Sequence, residues 1–236
     1  MSPHAVIDVG SNTIHLLVCE VEDGVALPVT GEKVSVRLGS GVDETGMIEE
    51  ERLHAAAEAI RLFARLVALN GASETTVLAT SAVREAENGP ELVEEVREKA
   101  GLKMRLICGE EEAILGFRGA ISALDPGFPR EAPALVVDLG GGSAQLILGD
   151  IEVGSEKQVY LPLGSNRLTE RYVEHDPPEP EELEALREAV LEVLPEWNLS
   201  EETAVVAMGG RPGQSSSLLE SSLPQNASSS SQQRSL

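Results

Sequence analysis

The chain is poor in aromatic residues, in cysteine and in positive charge. Phe, Trp and Tyr make up 3% of its 236 residues, so Val, Leu, Ile and Ala must build its core. Its two cysteines, Cys19 and Cys108, each end an apolar, strand-like run without metal-site spacing, which predicts buried free thiols. The sequence has neither a run of roughly 20 apolar residues nor a signal-peptide pattern before its first predicted strand. We therefore expect a soluble cytoplasmic protein without a membrane partner.

The shortage of basic residues leaves a strong negative charge. There are 40 acidic residues against 18 basic ones, a formal net charge of −22. A field of this sign repels nucleic acid and anionic membranes at long range, so no nucleic-acid partner is expected. An anionic ligand would need local hydrogen-bond donors, a few well-placed arginines or a divalent cation. The composition therefore favours a metal partner at any anion site.

Strand and helix patterns alternate along the chain, which predicts an α/β protein. Residues 49–69, for example, carry apolar side chains at the three- and four-residue spacing of an amphipathic helix. A segment rich in Pro and Gly at 125–133 predicts a boundary between a first lobe at 1–124 and a second lobe at 133–210. Residues 211–236 are rich in Ser and predict a disordered tail, an altered terminus in place of the rest of an incomplete second lobe.

Two stretches of the sequence look like copies of one β-hairpin. Residues 6–18 and 135–148 each contain an apolar strand that ends in Asp-x-Gly, a polar turn and a second apolar strand. The aspartates are Asp8 and Asp138, and the Gly and Ser residues of the turns leave backbone N–H groups free to bind an anion. Neither turn is a P-loop or a dinucleotide-binding motif, because the Gly-Lys-Ser/Thr and the third glycine are missing. Two such hairpins facing each other would form a clamp for phosphate and a metal.

Four motifs occur in order along the chain: Asp8-x-Gly-Ser-Asn-Thr13, Ala79-Thr-Ser-Ala-Val-Arg-Glu-Ala86 with Asn88, Gly109-Glu-Glu-Glu-Ala113 and Asp138-x-Gly-Gly-Gly-Ser143. Together they resemble the exopolyphosphatase and guanosine pentaphosphate phosphohydrolase family, also called the Ppx/GppA phosphatase family. Similarity continues at Leu161-Pro-Leu-Gly164, Arg167-Leu-Thr-Glu170 and Met208-Gly-Gly210, so it covers residues 4–210. The resemblance implies the two-lobed, ribonuclease H-like fold of actin, sugar kinases and Hsp70.

The resemblance also implies an active site in a cleft between the lobes. Inorganic polyphosphate, or guanosine penta- or tetraphosphate, would bind there with Mg²⁺ and lose a terminal phosphate to water. Glu111 matches the family's general base, and Asp8 and Asp138 match its metal-anchoring aspartates. The implied phosphate-binding residues are Ser11, Asn12, Thr13, Arg84, Gly140, Gly141, Gly142, Ser143 and Gln145. A homodimer is a further partner that the resemblance raises.

Each of these residues also has an ordinary structural explanation. An aspartate can cap its own turn, and the glycines can belong to a simple hairpin. Arg84 can pair on the surface with Glu85 or Glu87. Three acids in the first turn of a helix, residues 110–112, are favoured by the helix dipole alone. The four histidines show no ligand spacing and are expected to be structural or on the surface.

Gln145 departs from the family, whose hairpin reads Gly-Gly-Gly-Ser-Thr-Glu at this point. An amide accepts a hydrogen bond but carries no charge, so the metal or the attacking water would lose a carboxylate. Three hypotheses follow. The chain is a phosphoanhydride hydrolase, or a sensor that binds polyphosphate or a guanosine alarmone without turnover, or a kinase-like ATPase of the same fold. The motifs at 79–88 and 109–113 speak against the kinase.

Overall fold

The computed structural model describes residues 2–22, 24–124, 133–150 and 154–209. A first sheet is built from the strands β1 (His4–Val9), β2 (Thr13–Glu22), β3 (Val25–Ser35), β4 (Glu74–Ala79) and β5 (Met104–Leu106). They lie in the order β3-β2-β1-β4-β5. The first three form an antiparallel meander, and β4 and β5 continue the sheet parallel to β1. The predicted hairpin at residues 6–18 is therefore confirmed, as the first part of this meander.

Five helices follow the meander of this sheet along the chain. The chain forms α1 (Val42–Thr45), α2 (Glu50–Leu69), α3 (Ser81–Glu85), α4 (Gly89–Ala100) and α5 (Gly109–Ser122). The predicted amphipathic helix is α2, which buries Leu53, Ile60 and Phe63 against the sheet and α4. Alternate residues of β1, Ala5 and Ile7 among them, point into the same core because side chains of a strand alternate between its faces.

A second sheet repeats this plan. Its strands are β6 (Pro133–Leu139), β7 (Ala144–Asp150), β8 (Gly154–Leu161) and β9 (Ala204–Met208), in the order β8-β7-β6-β9. An antiparallel meander is again extended by a strand parallel to its first member. The helices α6 (Ser165–Tyr172) and α7 (Pro180–Val193) connect β8 to β9, at the place where α1 and α2 connect β3 to β4. The α/β class and the duplication are both confirmed.

Helix α5 packs on the second sheet. Its buried residues Ala113, Phe117 and Ala120 form one core with Val136 of β6 and Ile147 of β7. Their spacing of three and four residues places them on one side of the helix. The predicted lobe boundary at residue 124 assigns this helix to the first lobe, whereas its apolar side contributes to the core of the second sheet.

Other details differ from the sequence-based expectations. The short helices α1 and α3 were not anticipated, and Arg84 lies in α3. Both cysteines are free thiols, but Cys108 is exposed rather than buried. Residues 125–132 of the predicted linker at 125–133, together with Gly210 and the Ser-rich tail at 211–236, lie outside the described residues. Within the described part of the chain, no helix combines the length and apolar character that crossing a membrane requires.

Candidate active site

The carboxyl ends of β1 and β6 meet at a cleft of about 820 Å³ that is lined by residues of both sheets. Asp8 and Asp138 occupy the next-to-last positions of these strands, and the two hairpin turns follow directly. Ten of the predicted site residues line the cleft: Asp8, Ser11, Asn12, Thr13, Asp138, Gly140, Gly141, Gly142, Ser143 and Gln145. The structure therefore brings the two hairpins together, as the duplication in the sequence suggested.

The two turns are closed by equivalent backbone hydrogen bonds. The Gly10 N–H donates to the carbonyl of Thr13 at 3.1 Å, and the Gly140 N–H donates to the carbonyl of Ser143 at 2.9 Å. Within the described chain, the N–H groups between these closures, at residues 11–12 and 141–142, have no protein acceptor. Unpaired N–H groups of successive turn residues form the kind of concavity that binds anions.

The turns also touch each other, which explains two of the consecutive glycines. A Cβ on Gly142 would lie 2.5 Å from Ser11 Oγ and 2.8 Å from Ser81 Oγ, and one on Gly141 would lie 2.8 Å from Asn12 Cβ. No side chain fits at such distances. These glycines are therefore required for the approach of one turn to the other, in addition to any approach of a ligand.

The hydroxyl of Ser11 is already engaged by the protein. It lies 2.7 Å from Ser81 Oγ and accepts a hydrogen bond from the Ala82 N–H at 3.2 Å. Asn12 accepts a hydrogen bond from Asn166 Nδ2 at 2.9 Å, which links the first turn to α6. The side chains of Ser11 and Asn12 thus hold the site in shape, and their backbone N–H groups remain available for a phosphate.

Three carboxylates interact electrostatically in the cleft. Burial raises the pKa of Asp138, and the charge of Asp8 raises it further. Burial also raises the pKa of Asp8, although this side chain is open to solvent through the cleft. The pKa of Glu112 is raised to about 7, mainly by burial and also by Asp138 and Asp8, while Arg84 opposes the shift.

Glu112, and not the predicted Glu111, lines the cleft. Glu111 lies on the outer side of α5, where both carboxylate oxygens accept hydrogen bonds from Arg105 Nη1 at 2.7 and 2.8 Å. One helical step of about 100° separates the two side chains. Gly116 is on the same side of α5 as Glu112, four residues on, and a Cβ there would lie 3.4 Å from Asp138 Oδ2. This side of the helix therefore faces the aspartates.

Arg84 reaches the site through Glu112. Its Nη1 lies 3.4 Å from Glu112 Oε2 and donates to the carbonyl of Ile107 at 2.7 Å. The guanidinium also lies over the ring of Tyr160, 5.2 Å from its centre, and 3.7 Å from Glu85. The surface pair with Glu85 considered from the sequence thus exists, but it is one of several contacts that hold Arg84 beside the cleft.

The carboxylates of the cleft suit a divalent cation that is held mainly by a phosphate ligand and water. Among the described residues, no group of three or more His, Cys, Asp or Glu side chains is arranged to hold a metal ion. Asp8 and Asp138 are two facing carboxylates whose mutual repulsion a cation would relieve. Mg²⁺ in phosphoryl-transfer sites is commonly held by one or two carboxylates, water and substrate phosphates. Two protein ligands are therefore sufficient for this kind of site.

Several residues of the cleft were given no individual role from the sequence, although three of them lie within the quoted motifs. They are His15, Lys33, Thr80, Ser81, Glu112 and Ser165. One signal could have identified Thr80 and Ser81: they directly follow β4, which is parallel to β1, and the carboxyl ends of parallel strands share one edge of a sheet. His15 and Lys33 could be placed only once the register of the sheet was known.

The raised pKa of Glu112 predicts that stability falls with rising pH. Its pKa is 4.5 unfolded and about 7 folded, so the folded state binds this proton more tightly. The stabilisation is complete below pH 4.5 and is lost as the pH rises through 7. Between pH 5 and pH 8, without divalent cations, the unfolding free energy of the unchanged protein should therefore decrease. In Glu112→Gln this decrease should be smaller by on the order of 2–3 kcal/mol. Urea titrations with chelator test this. An equal decrease in unfolding free energy in Glu112→Gln and the unchanged protein would contradict the prediction. Glu111→Gln, the control, should behave like the unchanged protein.

The duplicated sheets and their facing turns define a two-lobed α/β protein of the actin and sugar-kinase class. A sequence model of the Ppx/GppA phosphatase family matches residues 17–233, and the chain belongs to this family. Exopolyphosphatase 2 of Mycobacterium tuberculosis is 37% identical over 199 residues, and Exopolyphosphatase 1 of Mycobacterium leprae is 32% identical over 209. These matches cover 80% and 88% of this chain.

The fold agrees with a solved structure of the family. The Ppx/GppA family member from Aquifex aeolicus superposes with a TM-score of 0.68 at 28% sequence identity, over 89% of this chain and 66% of that one. The chain spans 61% of the length of the M. tuberculosis relative and 59% of the M. leprae relative. Family and fold are thus established for the part of those proteins to which the chain corresponds.

Proposed function

We propose that this chain is a hydrolase that releases the terminal phosphate of inorganic polyphosphate by attack of water on a phosphoanhydride bond. The observation that carries the proposal is the group of carboxylates Asp8, Asp138 and Glu112, set beside two turns whose backbone N–H groups are free. Relatives named exopolyphosphatases support the same reaction.

Glu112, in place of Glu111, is the proposed general base. With a pKa of about 7 it is both available as a base and strong enough to take a proton from water at neutral pH. The N–H groups of the two turns would hold phosphate oxygens, and Arg84 would add a planar, charged donor. Asp8 and Asp138 would hold Mg²⁺, which when bound neutralises charge on the phosphate oxygens.

The lining of the cleft favours a linear phosphate chain over a guanosine phosphate. Among the described residues that line it there is no Phe, Tyr, Trp or Arg, and the ring of its one histidine, His15, is engaged at Nε2, 2.7 Å from Thr13 Oγ1. A guanine base is commonly held by stacking on an aromatic ring or an arginine, whereas a phosphate chain needs only N–H donors, cations and hydroxyl groups. Inorganic polyphosphate is therefore the first substrate to test, with guanosine pentaphosphate as the comparison.

One observation favours a second candidate, a protein that binds polyphosphate without turnover. Gln145 is 2% exposed, lines the cleft and donates through Nε2 to Ser143 Oγ at 3.0 Å. It is paired with Asp138 across β6 and β7, so a neutral amide stands beside a proposed metal ligand. The site therefore has one carboxylate fewer than a glutamate would provide.

Phosphate release from long-chain polyphosphate with Mg²⁺ separates the two functions. The hydrolase predicts release by the unchanged chain, and Gln145→Glu should change the rate without being required for it. Tight binding without release, with release appearing only in Gln145→Glu, would support the binding protein. Neither release nor binding by either protein would reject both proposals.

A further inference from the structure

Three residues on neighbouring strands form a row across the first sheet. Asp8 on β1 is paired with His15 on β2, and His15 is paired with Lys33 on β3. All three line the cleft. Since neighbouring strands lie about 4.8 Å apart, the backbone of Lys33 is about 10 Å from that of Asp8. The row therefore leads from the proposed reaction centre to the edge of the sheet.

Lys33 is the unpaired cation of this cleft. It is the only Lys or Arg among the described residues that line it, and it forms no ion pair within the described chain. Other basic side chains near the cleft are paired: Arg167 lies 2.8 Å from Asp43 and 2.7 Å from Glu85. In a chain of net charge −22, Lys33 thus places an exposed positive charge at a cleft suited to anions.

The equivalent row in the second sheet ends differently. Asp138 is paired with Gln145, and Gln145 with Tyr160 on β8. The Tyr160 hydroxyl donates to Glu85 at 2.6 Å, and its ring lies beneath Arg84. This row thus ends in contacts between β8 and α3, whereas the row in the first sheet ends at the exposed Lys33 on β3.

We infer that Lys33, with His15 beside it, binds a phosphate group of the polyphosphate chain several units away from the bond that is cleaved. This inference rests on the proposed function, which places the terminal phosphate near Asp8, Asp138 and Glu112. The polyphosphate leaves the cleft over β2 and β3, along this row of residues. Lys33, the only Lys or Arg among the described residues of the cleft, supplies the positive charge at this site. His15 Nε2 lies 2.7 Å from Thr13 Oγ1, which holds the ring beside the first turn.

The test compares substrate lengths. Lys33→Gln should raise the KM for long-chain polyphosphate about tenfold, the value of one charged hydrogen bond. Its effect on tripolyphosphate, which has only two phosphates beyond the one that is cleaved, should be at least fivefold smaller. Lys103→Gln removes the same charge from an exposed position outside the cleft and should leave both values unchanged. Lys33→Arg should restore most of the long-chain affinity.

Two results would overturn this inference. One is an equal change for both substrates in Lys33→Gln, and the other is an equal loss in Lys103→Gln, which would indicate a general effect of charge. If the unchanged chain releases no phosphate, the proposed hydrolase fails, and titration calorimetry with the same two polyphosphates still tests the subsite. Long-chain binding that is unaffected by Lys33→Gln would then reject it.

Discussion

Replacing Glu112 by Gln is expected to slow phosphate release from polyphosphate by about a hundredfold to ten-thousandfold, the usual contribution of a general base. The amide keeps the shape of the side chain and its position beside Asp138, but it cannot take a proton from the attacking water. Polyphosphate binding should persist, because the turn N–H groups are unchanged. Initial rates of phosphate release and calorimetric titration of the same protein measure the two effects.

Glu111→Gln is the matched control for this prediction. Glu111 belongs to the same helix, but its carboxylate is 39% exposed and pairs with Arg105 away from the cleft. Its replacement should change the rate by less than about twofold, since exposed ion pairs contribute little. If Glu111→Gln abolished release and Glu112→Gln did not, the assignment suggested by the motif alone would be restored, and the orientation of α5 would need another explanation.

Arg84→Ala is expected to have the second largest effect. The guanidinium is the only described cation that lowers the pKa of Glu112, so without it this pKa should rise above 7. Fewer molecules would then carry the deprotonated base at neutral pH. A charged donor to the phosphate would be lost as well, and together these losses should reduce kcat/KM about a hundredfold at pH 7. Rates measured from pH 6 to pH 9 should show the activity profile displaced to higher pH.

Arg105→Ala serves as the control for Arg84→Ala. Arg105 is exposed and contacts Glu111 outside the cleft, so its loss should leave both the rate and the pH profile unchanged. A rate loss in Arg84→Ala without displacement of the profile would limit Arg84 to phosphate binding. No loss at all would remove it from the site.

The hairpins were predictable because their signals are local. Asp8 and Asp138 each precede a glycine-rich turn at the end of an apolar strand, and both strands formed where the alternating pattern indicated. Helix α2 was predictable for a similar reason, since the spacing of Leu53, Ile60 and Phe63 is a property of neighbouring turns. The likeness of the two stretches then indicated two lobes, and the solved relative has the same fold.

The identity of the base was not predictable in this way. Glu110, Glu111 and Glu112 are consecutive acids at the start of one helix, and each suits the helix dipole equally. Only the packing of Ala113 and Phe117 on the second sheet decides which of them points to Asp138. Similarly, the close contact between Gly142 and Ser11 is a fact about two segments more than a hundred residues apart.

By itself, the sequence determined the family, the two hairpins and the residue types of an anion and metal site, because these depend on short patterns and on the strand and helix periods. The tertiary structure decided that Glu112 faces the aspartates, that Arg84 lowers its pKa, and that His15 and Lys33 continue the row from Asp8. These are contacts between elements distant in sequence. They depend on helix orientation and strand register, which core packing sets.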